Sequence, residues 1–151
     1  EVLPYIRSQG GVQRLPLAVG CGFGATHATI VFLRRPEYFS GLVALAGSYD
    51  AKKFFGGWLN GQLYDNSPLD FLPNMANEHP YIALYNEKKI VFCTGQGHGL
   101  DEPRRSLARL CRVLEARGID AWVDFWGEDV DYGWDWWTKQ LVYFLPHVLD
   151  L

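Results

Sequence analysis

Four short apolar runs punctuate the chain: LPLAVG (15–20), LVALAG (41–46), KIVFCTG (89–95) and AWVDFW (121–126). Each is nearly continuous instead of alternating, which predicts parallel strands covered by helices on both faces. Between and after them, apolar residues recur at helical spacing over 25–35, 78–86, 103–117 and 134–149. The stretch 103–117 is the clearest. Leu107, Leu110, Cys111 and Leu114 share one stripe, Arg105, Arg109, Arg112 and Glu115 lie off it, and Pro103 and Gly118 mark start and stop. In 134–149, Trp137, Leu141, Phe144, Leu145 and Val148 form a second stripe suited to packing on a sheet. Alternation of strand and helix patterns predicts a layered α/β fold with right-handed crossovers.

Two regions depart from this rhythm. The stretch from Tyr49 to Asn77 is loop-rich and too long for a plain connector, so it is expected to form a lid or a wall. The opening residues, EVLPYIRSQGG, resemble the end of a helix running into the first strand, which leaves an apolar strand at the edge of the sheet. An uncovered edge invites pairing. A second chain or an N-terminal segment is therefore the expected partner that completes the sheet.

Composition narrows the function classes. A chain of 151 residues, 48% of them apolar, suits one domain; at that size roughly 70% of the unfolded surface becomes buried. A net charge of −3 with no basic stripe argues against nucleic acid as a partner. No apolar run approaches the ~20 residues that span a bilayer, so no membrane partner is expected. Three cysteines, Cys21, Cys93 and Cys111, are an odd set in apolar or helical context. They suit reduced thiols and a cytoplasmic location better than a disulfide framework. Five of the six tryptophans fall between residues 122 and 137.

The stretch LAVGCGFGATHATIV (17–31) carries the candidate chemistry, and it fits two motifs. Gly20, Gly22 and Ala25 match the dinucleotide fingerprint G-x-G-x-x-G/A. That motif needs an acidic residue ~20 positions on to hold the ribose, and Asp50, 25 residues after Ala25, is a loose match. Alternatively, Gly20 and Gly24 frame a G-x-S-x-G nucleophile elbow in which Gly22 stands at the serine position. An elbow requires small residues two before and two after its apex, because strand, turn and helix crowd together there.

The second alternative extends along the chain. VGCGFGATHA, RRPEYFSGLVALAGSYD, NSPLDFLPN, VFCTGQG and WVDFWGEDVDYGWDWWTKQLVYFLP occur in this order. With these residues the chain resembles the C-terminal part of bacterial esterases of the α/β-hydrolase superfamily, the group that includes esterase D, feruloyl esterases and enterochelin esterases. The resemblance implies a three-layer α/β-hydrolase-like fold, here with about four parallel strands and helices on both faces, and no cofactor. It places the family's nucleophilic serine on Gly22 and its catalytic histidine, usually in N-H-D-W-x-W-W, on Tyr132. The acid position falls on Asp101, with Glu102 beside it, and one oxyanion donor on the backbone N–H of Phe23. The second oxyanion donor belongs to a loop of the family's N-terminal part.

Two of three triad positions thus carry the wrong chemistry. Glycine cannot attack, and a phenol with an ordinary pKa of about 10 is a poor base at neutral pH. Loss of any triad member leaves only ~10³–10⁴ over water from the oxyanion hole and binding. The expectation is an esterase-like domain without its triad that keeps a pocket for binding or structure. The alternatives are a carboxylic-ester hydrolase with a non-standard or externally completed triad, and a dinucleotide module.

The remaining candidates are weaker. Cys21 should turn away from the elbow tip by strand geometry. His27, His79, His98 and His147 share no metal-ligand spacing, and Asp129, Asp131 and Asp135 lack a calcium-loop pattern. His27 reads as a packing residue on the helix after the elbow. His98 in GQGHGLDE, with Trp126, Trp134 and Trp136, is the candidate binding set for a small-molecule ester or a sugar or aryl ligand.

Overall fold

A computed structural model describes residues 1–10 and 13–151; Gly11 and Val12, at the junction into the first strand, lie outside it. Four strands, β1 (Leu17–Cys21), β2 (Gly41–Leu45), β3 (Lys89–Thr94) and β4 (Trp122–Phe125), form one sheet in the order β1-β2-β3-β4. Every neighbouring pair is parallel, with Leu17 opposite Gly41, Gly41 opposite Lys89 and Val91 opposite Trp122. The main helices are α1 (Val2–Gly10), α2 (Phe23–Arg34), α5 (Pro80–Asn86), α6 (Asp101–Arg117) and α7 (Trp134–Leu149).

The strand period of two divides the core. Ala18, Leu42, Ala44, Ile90 and Phe92 face a layer built from Phe32 and Leu33 of α2, Tyr85 of α5 and Leu107, Leu110 and Leu114 of α6. Val43, Leu45, Val91 and Cys93 face the opposite layer, where Trp137 and Phe144 of α7 pack beside Leu100. Helices thus cover both faces of an all-parallel sheet, as the apolar runs predict.

Only β2 and β3 are covered as fully as expected. β1 and β4 are the outer strands; Val19 is 42% exposed, and Trp122 and Phe125 are 38% and 39% exposed. β1 takes the edge position expected of the first strand; the local pattern could not place β4 at the other edge, because an outer strand carries the same apolar residues as an inner one. Helix α1 buries none of its residues, though Leu3 leans on the core. Helices α2 and α6 each begin two residues before the expected start. In α6 this places Pro103 inside the first turn, where a missing N–H costs nothing. Cys111 is half-buried at the margin of the α6 stripe, with its thiol near the Glu115 carboxylate at 3.6 Å.

The stretch 49–77 is a wall of short turns: a 3₁₀ turn (Ala51–Phe55), α3 (Gly61–Asp65), α4 (Pro68–Phe71) and a second 3₁₀ turn (Leu72–Asn74). Its start is fastened by Asp50, which is buried and accepts from the Lys52 amide at 3.2 Å and from Arg109 at 2.9 Å. Ser67 accepts from the Ala51 amide at 3.0 Å and donates to Asp70, which also pairs with Lys52 at 2.6 Å.

Burial pushes the Tyr49 and Tyr85 phenols and the Cys93 thiol well above their ordinary values of 10.0 and 9.0. Tyr85 also donates its hydroxyl to the Leu33 carbonyl. The native state therefore holds all three neutral at pH values where the unfolded chain ionises them. Their contribution is complete below the unfolded values of 9.0 and 10.0 and is lost as pH rises toward the native ones. Urea unfolding followed by fluorescence should give a lower midpoint at pH 10.5 than at pH 8; an equal or higher midpoint contradicts this assignment.

Candidate functional site

The site is built where β1 ends. The Gly22 amide donates to the Leu45 carbonyl at 2.8 Å, holding the apex to the neighbouring strand, and the Gly22 carbonyl accepts from Ala25 at 3.0 Å as α2 starts. Gly22 has φ 57° and ψ −126°, a conformation that side chains rarely adopt. A Cβ at Gly20 would collide with the backbone of Gly24, so the reversal of direction depends on glycine there. At Gly24 a Cβ would meet nothing within 4 Å. Of the two flanking glycines that the elbow motif expects, Gly20 alone relieves crowding within the described residues.

The space above the apex is filled. A Cβ on Gly22 would collide with the Tyr132 hydroxyl, would lie 3.0 Å from Tyr132 Cζ and would lie 3.2 Å from Trp137 Cη2. Tyr132 and Trp137 pack edge to face, with ring centroids 4.7 Å apart. The loops after β3 and β4 hold Tyr132 in place. Its amide donates to the His98 carbonyl at 2.9 Å, the His98 amide donates to Asp131 at 2.7 Å, and the Gly97 amide donates to the Val130 carbonyl at 2.9 Å. Side chains at Gly95 or Gly97 would strike Val130 and Asp131, so the two loops meet backbone to backbone.

A cleft of about 150 Å³ opens beside the apex, lined by Gly22, Phe23, Ala46, Phe54, Glu102 and Tyr132 among others. Phe23 and Phe54 form one wall, edge to face at 5.3 Å. Ala46, buried at the end of β2, has φ 57°, an uncommon conformation for a residue with a side chain. The Phe23 amide begins α2 and belongs to the first-turn N–H groups that a helix leaves unpaired. The Thr26 hydroxyl and the Ser48 backbone bond to each other at 2.9 and 3.0 Å, and the Ser48 hydroxyl donates to Glu102 at 3.1 Å. The other Glu102 oxygen pairs with Lys53 at 2.5 Å.

Of the sequence-predicted residues, Gly22, Phe23 and Tyr132 meet in this cleft and the others do not. Asp101 points outward, 80% exposed and 4.0 Å from Arg104, while its neighbour Glu102 lines the cleft. Consecutive helical residues point ~100° apart, so only one of the two can face inward. His98 contributes its backbone, and its exposed imidazole does not line the cleft. Trp126 packs beneath α7 against Tyr143 and Phe144. Trp134 is exposed and touches Trp137 at 5.3 Å. Trp136 lies on another face of α7 under the Lys139 ammonium at 4.1 Å. The aromatic residues that border the cleft are Phe23, Phe54 and Tyr132, with Trp137 behind Tyr132.

Three other expectations can be placed. Cys21 packs toward the α7 layer, away from the cleft, and burial raises its thiol pKa. His27 is exposed and stacks edge to face on Phe23 at 4.9 Å. A pyrophosphate would need close approach to Gly22, where Tyr132 stands, and Asp50 is already held by Arg109. Among the described residues, no helix is long and apolar enough to cross a membrane.

No protein-family model and no curated protein sequence matches the chain. Solved structures do. MPT51 of Mycobacterium tuberculosis superposes with a TM-score of 0.74 at 16% identity, over 99% of this chain and 65% of that one. An S-formylglutathione hydrolase of Agrobacterium tumefaciens gives 0.72 at 12% identity, over 99% of this chain and 54% of that one. A ferulic acid esterase gives 0.71 at 18%, over 98% and 57%. The chain therefore spans less than two thirds of the length of these proteins. Its parallel sheet, its helical layers and these superpositions together establish that the chain has the α/β-hydrolase fold.

Proposed function

We propose that this chain is an esterase-like α/β-hydrolase unit that binds a small molecule at its elbow cleft and does not turn esters over. The observation that carries this reading is the occupation of the space above Gly22 by the Tyr132 phenol. An acyl-transfer enzyme needs a nucleophile at that point with a base in hydrogen-bond reach. Here the apex has no side chain, and the group nearest to it is a tyrosine hydroxyl. The Phe23 amide and the Glu102 carboxylate remain as fixed polar groups around a cleft with aromatic walls.

The test is an aryl-acetate hydrolysis assay on the purified protein and on its Gly22→Ser/Tyr132→His variant. The unsubstituted protein is expected to match buffer controls, and any gain is expected only in the double variant. Ordinary esterase turnover by the unsubstituted protein, traced to a serine by fluorophosphonate labelling, rules the proposal out in favour of an unrecognised triad.

A further inference from the structure

We propose that the turn at 52–59, KKFFGGWL, docks on the surface of a phospholipid bilayer, with Phe54, Phe55 and Trp58 entering the headgroup region and the two lysines staying outside it. The inference does not depend on what the elbow cleft holds. Four large apolar residues fall within positions 54–59, and all four are exposed; Phe54, Phe55 and Trp58 are 49%, 54% and 58% exposed. Neither Phe55 nor Trp58 joins a core cluster. Of the three rings, among the described residues, only Phe54 packs on another ring, that of the exposed Phe23 at 5.3 Å. Folding therefore gains little from burying the outer two, and exposed apolar surface gathered in one patch marks an interaction site.

The backbone makes this segment a projecting tip. Gly56 and Gly57 have φ 61° and 85°, and a Cβ on either would meet nothing within 4 Å, so the turn stands clear of the rest of the molecule. The Gly56 and Gly57 amides both donate to the Lys52 carbonyl, the second at 2.9 Å, and the Trp58 amide donates to the Phe55 carbonyl at 3.1 Å. These donors are satisfied within the turn. Entry into an apolar medium thus strips none of them of a partner.

Shape and chemistry select a bilayer. A convex tip sinks into a deformable lipid surface, whereas a protein partner must bring a matching hollow, and aromatic rings beside lysines suit the membrane interface. Two copies meeting tip to tip would cover roughly 600 Å² in total, at about 200 Å² per aromatic side chain and half exposure, short of the ~1,200 Å² of a stable interface. The lysines are already paired, Lys52 with Asp70 at 2.6 Å and Lys53 with Glu102 at 2.5 Å, and the chain carries a net charge of −3. The contact is therefore apolar, and zwitterionic lipid suffices. The expectation of no membrane partner rests on the missing run of ~20 apolar residues, which a tip of this depth does not need.

The experiment is flotation of the protein with vesicles of phosphatidylcholine, and of phosphatidylcholine mixed with phosphatidylserine, at low and high salt. Binding to both is expected, with affinities within about threefold of each other and little changed by salt, because screening acts on charge and not on apolar burial. Phe55→Ser and Trp58→Ser should each weaken binding roughly five- to tenfold, the scale for withholding one half-exposed ring from an apolar phase. Val142→Ser, at an exposed position on α7, should leave binding unchanged. Acyl-brominated lipid should quench the fluorescence of the unsubstituted protein, and Trp58→Phe should keep binding and lose most of the quenching. No flotation with phosphatidylcholine, a requirement for phosphatidylserine that salt abolishes, or undiminished binding by the Phe55→Ser/Trp58→Ser variant overturns the proposal. Self-association of the unsubstituted protein without lipid, seen by size exclusion and lost in that double variant, overturns it too and assigns the tip to a second copy.

Discussion

Gly20→Ala should lower the melting temperature by roughly 6–12 °C, whereas Gly24→Ala should leave it unchanged or raise it by up to about 3 °C. The two glycines look equivalent in the elbow pattern, and their surroundings differ. A methyl group on Gly20 would lie inside the backbone of Gly24 and Ala25, which cannot rotate aside as a side chain can. The turn would have to open, at a cost of about 3 kcal/mol or more. Gly24 sits in the first turn of α2 with open space beside it. Alanine there removes the helix penalty of glycine, worth up to ~1 kcal/mol. Thermal denaturation of the two variants in parallel decides the matter, and equal losses at both positions would refute the asymmetry.

Gly22→Ser alone should cost about 2–6 kcal/mol, and Tyr132→His should recover at least about 1 kcal/mol of that loss. Two terms add. A side chain held at φ 57° and ψ −126° costs about 1–3 kcal/mol, and crowding against the Tyr132 phenol and the Trp137 ring adds about 1–3 kcal/mol. The second term depends on Tyr132 being present, so the two substitutions should couple in a double-mutant cycle. Urea unfolding of the four proteins measures the coupling. Strict additivity would mean that the phenol does not occupy the space above the apex in solution, and it would remove the main support for the proposed function.

Much of the fold was legible because its signals are local. Continuous apolar runs located all four strands, and the stripe with Leu107, Leu110 and Leu114 located α6 to within two residues of its start. What local pattern could not encode was position across the sheet. β4 carries the same apolar residues as an inner strand and yet stands at the edge with Trp122 and Phe125 partly exposed.

The site was legible in proportion to how far its residues depend on backbone geometry. The strand–turn–helix at Gly20–Ala25 imposes small residues at fixed offsets, so Gly22 and Phe23 could be placed from spacing, and the family resemblance added Tyr132. The choice between Asp101 and Glu102 turns on which way one helical residue points, and a sequence string does not carry that rotation. Trp137 fits an ordinary packing stripe and does pack in the core, but its ring edge also reaches Tyr132 at the apex. Phe54 comes from the wall segment, and nothing in its spacing relative to the elbow announces that it meets Phe23. The aromatic pair Phe54 and Phe55 in the middle of the wall was the available hint.

The glycine at the apex also changes how this part of the molecule can vary over evolutionary time. A side chain held at φ 57° and ψ −126° stores about 1–3 kcal/mol of backbone strain, which serine-bearing elbows must carry to keep their chemistry. Glycine adopts the same angles with no such load. The elbow of this chain is therefore relaxed, and the trade-off between stability and activity that constrains a strained site does not act at this position. On the proposed reading of the cleft as a binding site without turnover, substitutions around it would be filtered by packing and ligand fit alone.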